Sequence, residues 1–115
     1  MSDARIIKKY PNRRLYDTGL SRYVTLHDVR RLVAEGVDFI VIEQRTGIDI
    51  TRSVLLQVIV EEEQNNGASL LTQHFLSQVI RSYDTGTAAQ TAGYLERSIN
   101  DYLQRQGAGA LAGGH

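Results

Sequence analysis

The run from Val54 to Val60 constrains the fold of this chain more than any other stretch, because six of its seven residues are apolar and only Gln57 is not. It is far too short to cross a bilayer, so it must be buried in protein. Periodicity alone does not separate strand from helix in such a run, but the flanks do. Thr51 is a good N-cap, Glu61-Glu62-Glu63-Gln64 are helix formers, and Asn65-Asn66-Gly67 is a stop signal. A helix over 52–64 is predicted. Being apolar on nearly every side of its middle, it needs cover on more than one face. In a chain of 115 residues a second subunit is a natural source of that cover.

The segments before this run read as a small β structure with one helix. Arg5 to Tyr10 is a short strand ended by the turn signal Pro11-Asn12. Arg14 to Asp17 can pair back on it, and Arg22-Tyr23-Val24 is β-prone. Thr25 caps a helix with Asp28 as the acidic partner of a capping box, and Leu26, Val29, Leu32 and Val33 form its apolar stripe. Gly36 ends it. Val37 to Ile42 follows as a buried strand, with Ile48-Asp49-Ile50 as the return strand of a hairpin. Beyond Gly67, Ser69 caps a third helix carrying Leu71, Phe75, Leu76, Val79, Ile80 and Tyr83 at helical spacing. A fourth runs from Thr87 to Gln104, with Ala88, Ala92, Leu95, Ile99 and Tyr102 as a heptad-like seam. Residues 107–115 form a Gly/Ala-rich tail expected to be flexible.

Charge is distributed unevenly. Residues 1–31 hold eight Lys or Arg against three Asp, 8 − 3 = +5, while the rest holds five against ten, 5 − 10 = −5. The neutral total conceals a basic head, and a clustered positive field neutralises phosphates and releases their counterions. Lys8, Lys9, Arg13 and Arg14 are interleaved with Tyr10, Asn12 and Tyr16. The cations suit phosphate oxygens or guanine edges, Asn12 suits adenine, and the tyrosines can stack or bond a phosphate. On a strand Lys8 and Tyr10 face one way and Lys9 the other. These residues alone leave DNA and RNA undecided, and a basic β-ribbon with solvated charges is the plain alternative.

Catalysis finds little footing. With no cysteine there is no disulfide, thiolate metal site or cysteine nucleophile. His27, His74 and His115 form no metal-ligand or triad pattern. Glu61-Glu62-Glu63 fan out around a helix axis and cannot share one site. Gly47-Ile48-Asp49 lacks the glycine-rich, Lys-Ser/Thr pattern of a phosphate loop. No enzyme, cofactor or metal is expected, and nothing at the amino end reads as a signal peptide.

The stretch Ile7-Lys8-Lys9-Tyr10-Pro11-Asn12-Arg13-Arg14-Leu15-Tyr16-Asp17-Thr18, followed by Ser21-Arg22-Tyr23-Val24-Thr25-Leu26, closely resembles the amino-terminal DNA-binding domain of the polyhydroxyalkanoate synthesis repressors. Asp38-Phe39, Thr46-Gly47 and Asp49-Ile50-Thr51-Arg52 continue the pattern. Phe75 to Tyr83 and Tyr94-Leu95-Glu96-Arg97-Ser98 are similar to the accumulation-regulator module that follows it. The resemblance implies a bacterial cytoplasmic regulator, nucleoid- or granule-associated, that represses granule-associated genes at their promoters and leaves the DNA when it binds nascent polyester. Domains are expected at 1–66 for DNA binding and 67–106 for the helical module. The expected fold is α+β: a basic β-ribbon and small antiparallel sheet with helices, then a helical hairpin.

The expected DNA contacts are Arg5, Lys8, Lys9, Tyr10, Asn12, Arg13, Arg14, Tyr16, Arg22 and Tyr23. Residues expected to meet polymer or a second subunit are Leu56, Ile59, Leu71, Phe75, Leu76, Val79, Leu95 and Ile99. The partners are double-stranded promoter DNA, polyhydroxyalkanoate or its granule surface, and further copies of the chain, with no membrane. Two other readings start from the same residues: a granule-surface interaction protein with no promoter-reading role, and an RNA-binding regulator.

Overall fold

The computed structural model describes residues 4–65 and 69–113, with side chains as far as residue 105. Strands β1 (Arg5–Lys9), β2 (Leu15–Asp17) and β3 (Arg22–Val24) form a meander. Helix α1 (Leu26–Ala34) then crosses over to β4 (Phe39–Glu43), and α2 (Thr51–Asn65) completes the first of two compact units, Met1–Ser69. The second, Leu70–His115, holds α3 (Gln73–Asp84) and α4 (Ala88–Gly113). The chain is α+β with a carboxyl-terminal helical hairpin.

Local chemistry sets most of the boundaries. Thr25 caps α1 through Asp28 N–H while the Asp28 carboxylate accepts the Thr25 N–H at 2.9 Å, so both halves of the capping box are made. Gly36 adopts φ 72°, and Gly36 N–H to Val33 O and Val37 N–H to Leu32 O close a Schellman end. The third helix differs from expectation at its start. Thr72, not Ser69, is its cap, accepting from Phe75 N–H at 3.1 Å, while Ser69 lies four residues before the first helical residue and its hydroxyl donates to Glu63 at 2.6 Å. Leu71 therefore precedes the helix.

The sheet order is β3-β2-β1-β4. β1 pairs antiparallel with β2, Ile7 opposite Asp17, and β2 antiparallel with β3, Leu15 opposite Val24. One pairing departs from an all-antiparallel sheet. β4 runs parallel to β1, Ile7 beside Val41, since the chain passes through α1 before returning to the sheet. The expected return strand at Ile48–Ile50 is reduced to a single bridge between Ile42 and Asp49. Asp49 is engaged instead in starting α2: its carboxylate accepts Thr51 N–H at 2.9 Å and Thr51 Oγ1–H at 2.6 Å. Thr51 is accordingly the first residue of α2 and not its cap.

Alternation along the strands sorts side chains onto two faces. Ile7, Leu15, Val24 and Val41 form the inner face and pack with Val29 and Leu32 of α1 and Val54 and Val58 of α2. Each such aliphatic, once buried, contributes about 1.5–3 kcal/mol. The outer face carries Ile6, Lys8, Tyr16, Tyr23, Ile40 and Ile42, none of them buried. Helix α2 uses Val54 and Val58 for the core and leaves Leu56, Ile59 and Val60 about half exposed.

In the second unit, α3 ends at Gly86 (φ 75°), with Thr87 N–H bonded to Ser82 O at 2.9 Å. Among the described residues of this unit only Ser82 is buried. Phe75 and Val79 of α3 and Ala88, Thr91 and Leu95 of α4 are partly buried. The seam on α4 thus takes Thr91 where the heptad reading placed Ala92, and Ile99 and Tyr102 are exposed. The helix continues past Gln104, its predicted end, to Gly113. Adding residues to an existing helix needs no new nucleus, which lets weak formers follow strong ones. The expected boundary at 66–67 and His115 lie outside the described residues.

Candidate nucleic-acid interface

Pro11 and Asn12 make the turn that brings the basic residues together. Arg13 N–H donates to Tyr10 O at 2.8 Å, and Tyr10 N–H donates to Arg14 O at 2.9 Å. These two bonds close a three-residue loop in which Pro11 supplies the fixed φ of a tight turn. Asn12 Oδ1 accepts Arg14 N–H at 3.1 Å, so this side chain braces the loop it was expected to read DNA from. The third loop position must be left-handed to continue the hairpin. Arg13 takes it, at φ 68°.

Beyond the loop, a tyrosine cluster stiffens the hairpin. Tyr23 meets Tyr16 edge-on with ring centroids 5.2 Å apart, and Tyr10 with centroids 6.5 Å apart. The Arg14 guanidinium lies over the Tyr23 ring, 4.4 Å from its centroid. Lys8 stands in the same cross-strand row as Tyr16 and Tyr23. On the other face of β1, Lys9 joins Arg13 and Arg14 on the rim of a groove of about 770 Å³ that reaches Leu26, Leu56 and Val60. Such a surface offers cations, edge-on tyrosine rings and one apolar cleft within a single unit.

The eight basic residues of the first segment do not act alike. Arg5 Nη1 pairs with Asp17 Oδ2 at 3.4 Å, and Asp17 is fully buried, its other oxygen accepting Gly19 N–H at 2.8 Å and Leu20 N–H at 3.1 Å. Arg30 pairs with Glu62 at 3.2 Å. Arg22 and Arg31 lie near Asp28, whose carboxyl is lowered from its ordinary 3.8, chiefly by the Thr25 backbone N–H, with the Thr25 hydroxyl and these two arginines assisting and burial opposing. That end of the sheet is electrically balanced. At the hairpin end Lys8, Lys9, Arg13 and Arg14 have no carboxylate within ion-pair distance among the described residues. The structure therefore brings together Lys8, Lys9, Tyr10, Asn12, Arg13, Arg14, Tyr16 and Tyr23, and places Arg5 and Arg22 at the opposite end with acidic neighbours.

Arg45 joins the hairpin end, and the sequence reading passed over it. Gln44 N–H bonds to Lys9 O at 2.9 Å, and Arg45 lines one shallow cleft with Lys9, Tyr10 and Arg13. Only the parallel pairing of β4 with β1 carries the turn after β4 to that place. Of the residues expected to meet polymer or a second subunit, Leu56, Ile59, Leu76 and Ile99 are exposed, whereas Leu71, Phe75, Val79 and Leu95 are partly buried. These residues divide between the units, Leu56 and Ile59 in the first and the other six in the second. Among the described residues no helix is long and apolar enough to cross a membrane.

Comparison with known proteins gives the geometry a family. The chain is 49% identical to an uncharacterized protein of Allochromatium vinosum over 106 residues, which cover 92% of this chain and 69% of that one. It is 48% identical over the same length to a Thiocystis violacea protein described as an uncharacterized protein in the phbA 5′ region, covering 76% of it. No solved structure matches the chain significantly. The family model of the PHB/PHA accumulation regulator DNA-binding domain matches residues 6–66, more than half the chain and the stretch from β1 through α2. The chain belongs to the PHB/PHA accumulation regulators through their DNA-binding domain.

Proposed function

We infer that the chain is a transcriptional repressor of polyhydroxyalkanoate synthesis and granule-associated genes, which grips promoter DNA with the hairpin end of its sheet and leaves the DNA on binding nascent polyhydroxyalkanoate. The observation that carries the DNA contact is the cluster of Lys8, Lys9, Arg13 and Arg14, with no carboxylate partner among the described residues, beside three ordered tyrosines. Cations already paired within a protein gain little from phosphate; these four make no ion pair among the described residues, although Glu43 lies beside Lys9 in the sheet. The phbA 5′ region in the name of the Thiocystis violacea relative supports a link to polyester genes. The apolar side chains of the second unit that stay exposed, Leu76, Ile80, Ile99 and Leu103 among them, are suited to an apolar particle or to further copies of the chain.

The test is a binding titration against salt, using a duplex from a polyester-gene promoter, a random duplex and an RNA of equal length. Preference for the promoter duplex with strong salt dependence is expected; equal or tighter binding to RNA would transfer the role to RNA. Release follows linkage, since a ligand displaces DNA only if it prefers the DNA-free form. Polyhydroxybutyrate particles should therefore compete with the promoter, and promoter DNA should weaken particle binding by the same factor. Simultaneous binding without mutual weakening would leave a granule-coating protein whose DNA binding the polymer does not control.

A further inference from the structure

The hairpin loop holds an arginine where the backbone favours glycine. At φ 68°, Arg13 occupies the left-handed position of a tight loop, a conformation that crowds the Cβ of any L side chain. Glycine or asparagine would close the same loop with less strain, so an arginine here runs against the local preference of the backbone. A residue in this position also re-aims its side chain relative to the strand it follows. Arg13 is exposed and has no carboxylate within ion-pair distance among the described residues.

Its neighbour is held differently. Arg14 lies over Tyr23, its guanidinium carbon 4.4 Å from the ring centroid, and its backbone N–H is bound by Asn12. With Lys9 and Arg14 flanking it, the loop resembles a fork: two cations beside the strands and one at the tip. A two-stranded ribbon fits the major groove, where guanine presents N7 and O6 side by side and an arginine can bond both. Phosphate contacts tolerate any backbone geometry that brings charge near; a base contact requires a side chain aimed at the base edge, and an unpaired guanidinium can fork onto guanine.

We propose that Arg13 is the specificity-determining residue of the DNA-binding surface, reading a guanine in the major groove, while Lys9 and Arg14 hold the flanking phosphates. This rests on the DNA-binding reading and adds to it the division of labour within the hairpin.

The whole chain and its Arg13→Gly, Arg13→Lys and Arg14→Lys variants would each select from a pool of duplexes with randomised centres, with melting temperature measured for all four. The unsubstituted chain should enrich a site containing a fixed guanine. Arg13→Gly should melt no lower than the unsubstituted chain, because it relieves the left-handed Cβ, yet lose that guanine from its selected site. Arg13→Lys keeps the charge without the planar fork and should enrich that guanine less strongly, and Arg14→Lys should keep it at reduced affinity. Replacing the guanine by 7-deazaguanine, which lacks the N7 acceptor, should weaken the unsubstituted chain roughly 5- to 150-fold and leave Arg13→Gly unchanged. If both Arg13 variants select the same site as the unsubstituted chain with uniformly weaker binding, Arg13 holds phosphate and the proposal fails. If the unsubstituted chain enriches no site at all, the promoter-reading function itself fails, a distinct result. A clear fall in melting temperature for Arg13→Gly would overturn the premise that the arginine runs against the backbone's preference.

Discussion

A Cβ at Gly19 would stand 3.0 Å from Arg5 Nε and 3.2 Å from Asp17 Oδ1, inside the distance side chains normally keep. Asp17 is buried and holds both Arg5 and the backbone of the β2–β3 turn, so neither neighbour can yield without loosening a buried carboxylate. Gly19→Ala is expected to destabilise the chain by about 1–3 kcal/mol, read from urea unfolding; an unchanged midpoint would show that Arg5 swings aside freely. Asp28 gives a pH signature. Its carboxyl is depressed below 3.8, chiefly by the Thr25 N–H, so its contribution is complete above that value and is lost as pH falls through the depressed one. Asp28→Asn should therefore lower stability at neutral pH and flatten the acid limb of the unfolding profile, and a limb identical in both proteins would exclude the capping box as its source. Residue identity made the Thr25–Asp28 box legible because cap and partner are three positions apart. It could not separate Arg5 from Arg13. Charge counting treats all cations alike, and Asp17 reaches Arg5 only through the β1–β2 register.

Elements were legible where their signals are local. Turn, cap and stop residues located β1, β2, β3, α1 and α2 to within a residue or two. The direction of β4 was not legible, because parallel or antiparallel pairing depends on the path of α1 across the sheet and no residue encodes it locally. The edge of β4 shows a related device. Val41 N–H, on the side away from β1, donates to Thr51 Oγ1 at 2.8 Å, and Ile50 N–H returns a bond to Val41 O at 2.8 Å. The first residue of α2 thereby satisfies part of an open strand edge. Thr51→Val keeps the shape and removes the acceptor, leaving a buried N–H unpaired at a cost of about 1–3 kcal/mol. Thr51→Ser keeps the acceptor and should retain most of that stability in thermal unfolding; a loss for Thr51→Ser with none for Thr51→Val would point to the methyl group instead.

At the scale of the molecule, the first unit sorts its charge by end: balanced where Arg5, Arg22 and Arg31 meet Asp17, Asp28 and Glu35, and in positive excess at the hairpin, where Lys9, Arg13 and Arg45 share a cleft with Glu43. Duplex affinity should consequently fall with salt at a log–log slope of about −4 to −7 if some four to eight phosphates are neutralised per assembly. Arg45→Ala should flatten that slope by about one unit although Arg45 lies far from the basic segment in sequence; an unchanged slope would exclude it from the contact. The apolar face of α2 carries a prediction of a different kind. Leu56 and Ile59 are half exposed in the single chain, so Leu56→Asp should leave its fold intact and dissociate any assembly built on that face. Sedimentation of the unsubstituted chain as a monomer at micromolar concentration would remove the premise. The central place of β1 has a further consequence, in time rather than space. Arg5 is paired with Phe39, 39 − 5 = 34 positions later, so the first strand synthesised waits for the last strand of its sheet. Loop closure over that distance precedes any reward from the contact. During synthesis the β1 edge of the basic hairpin therefore stays open until β4 has emerged, and a nascent chain gains its finished basic end only when the rest of its sheet exists.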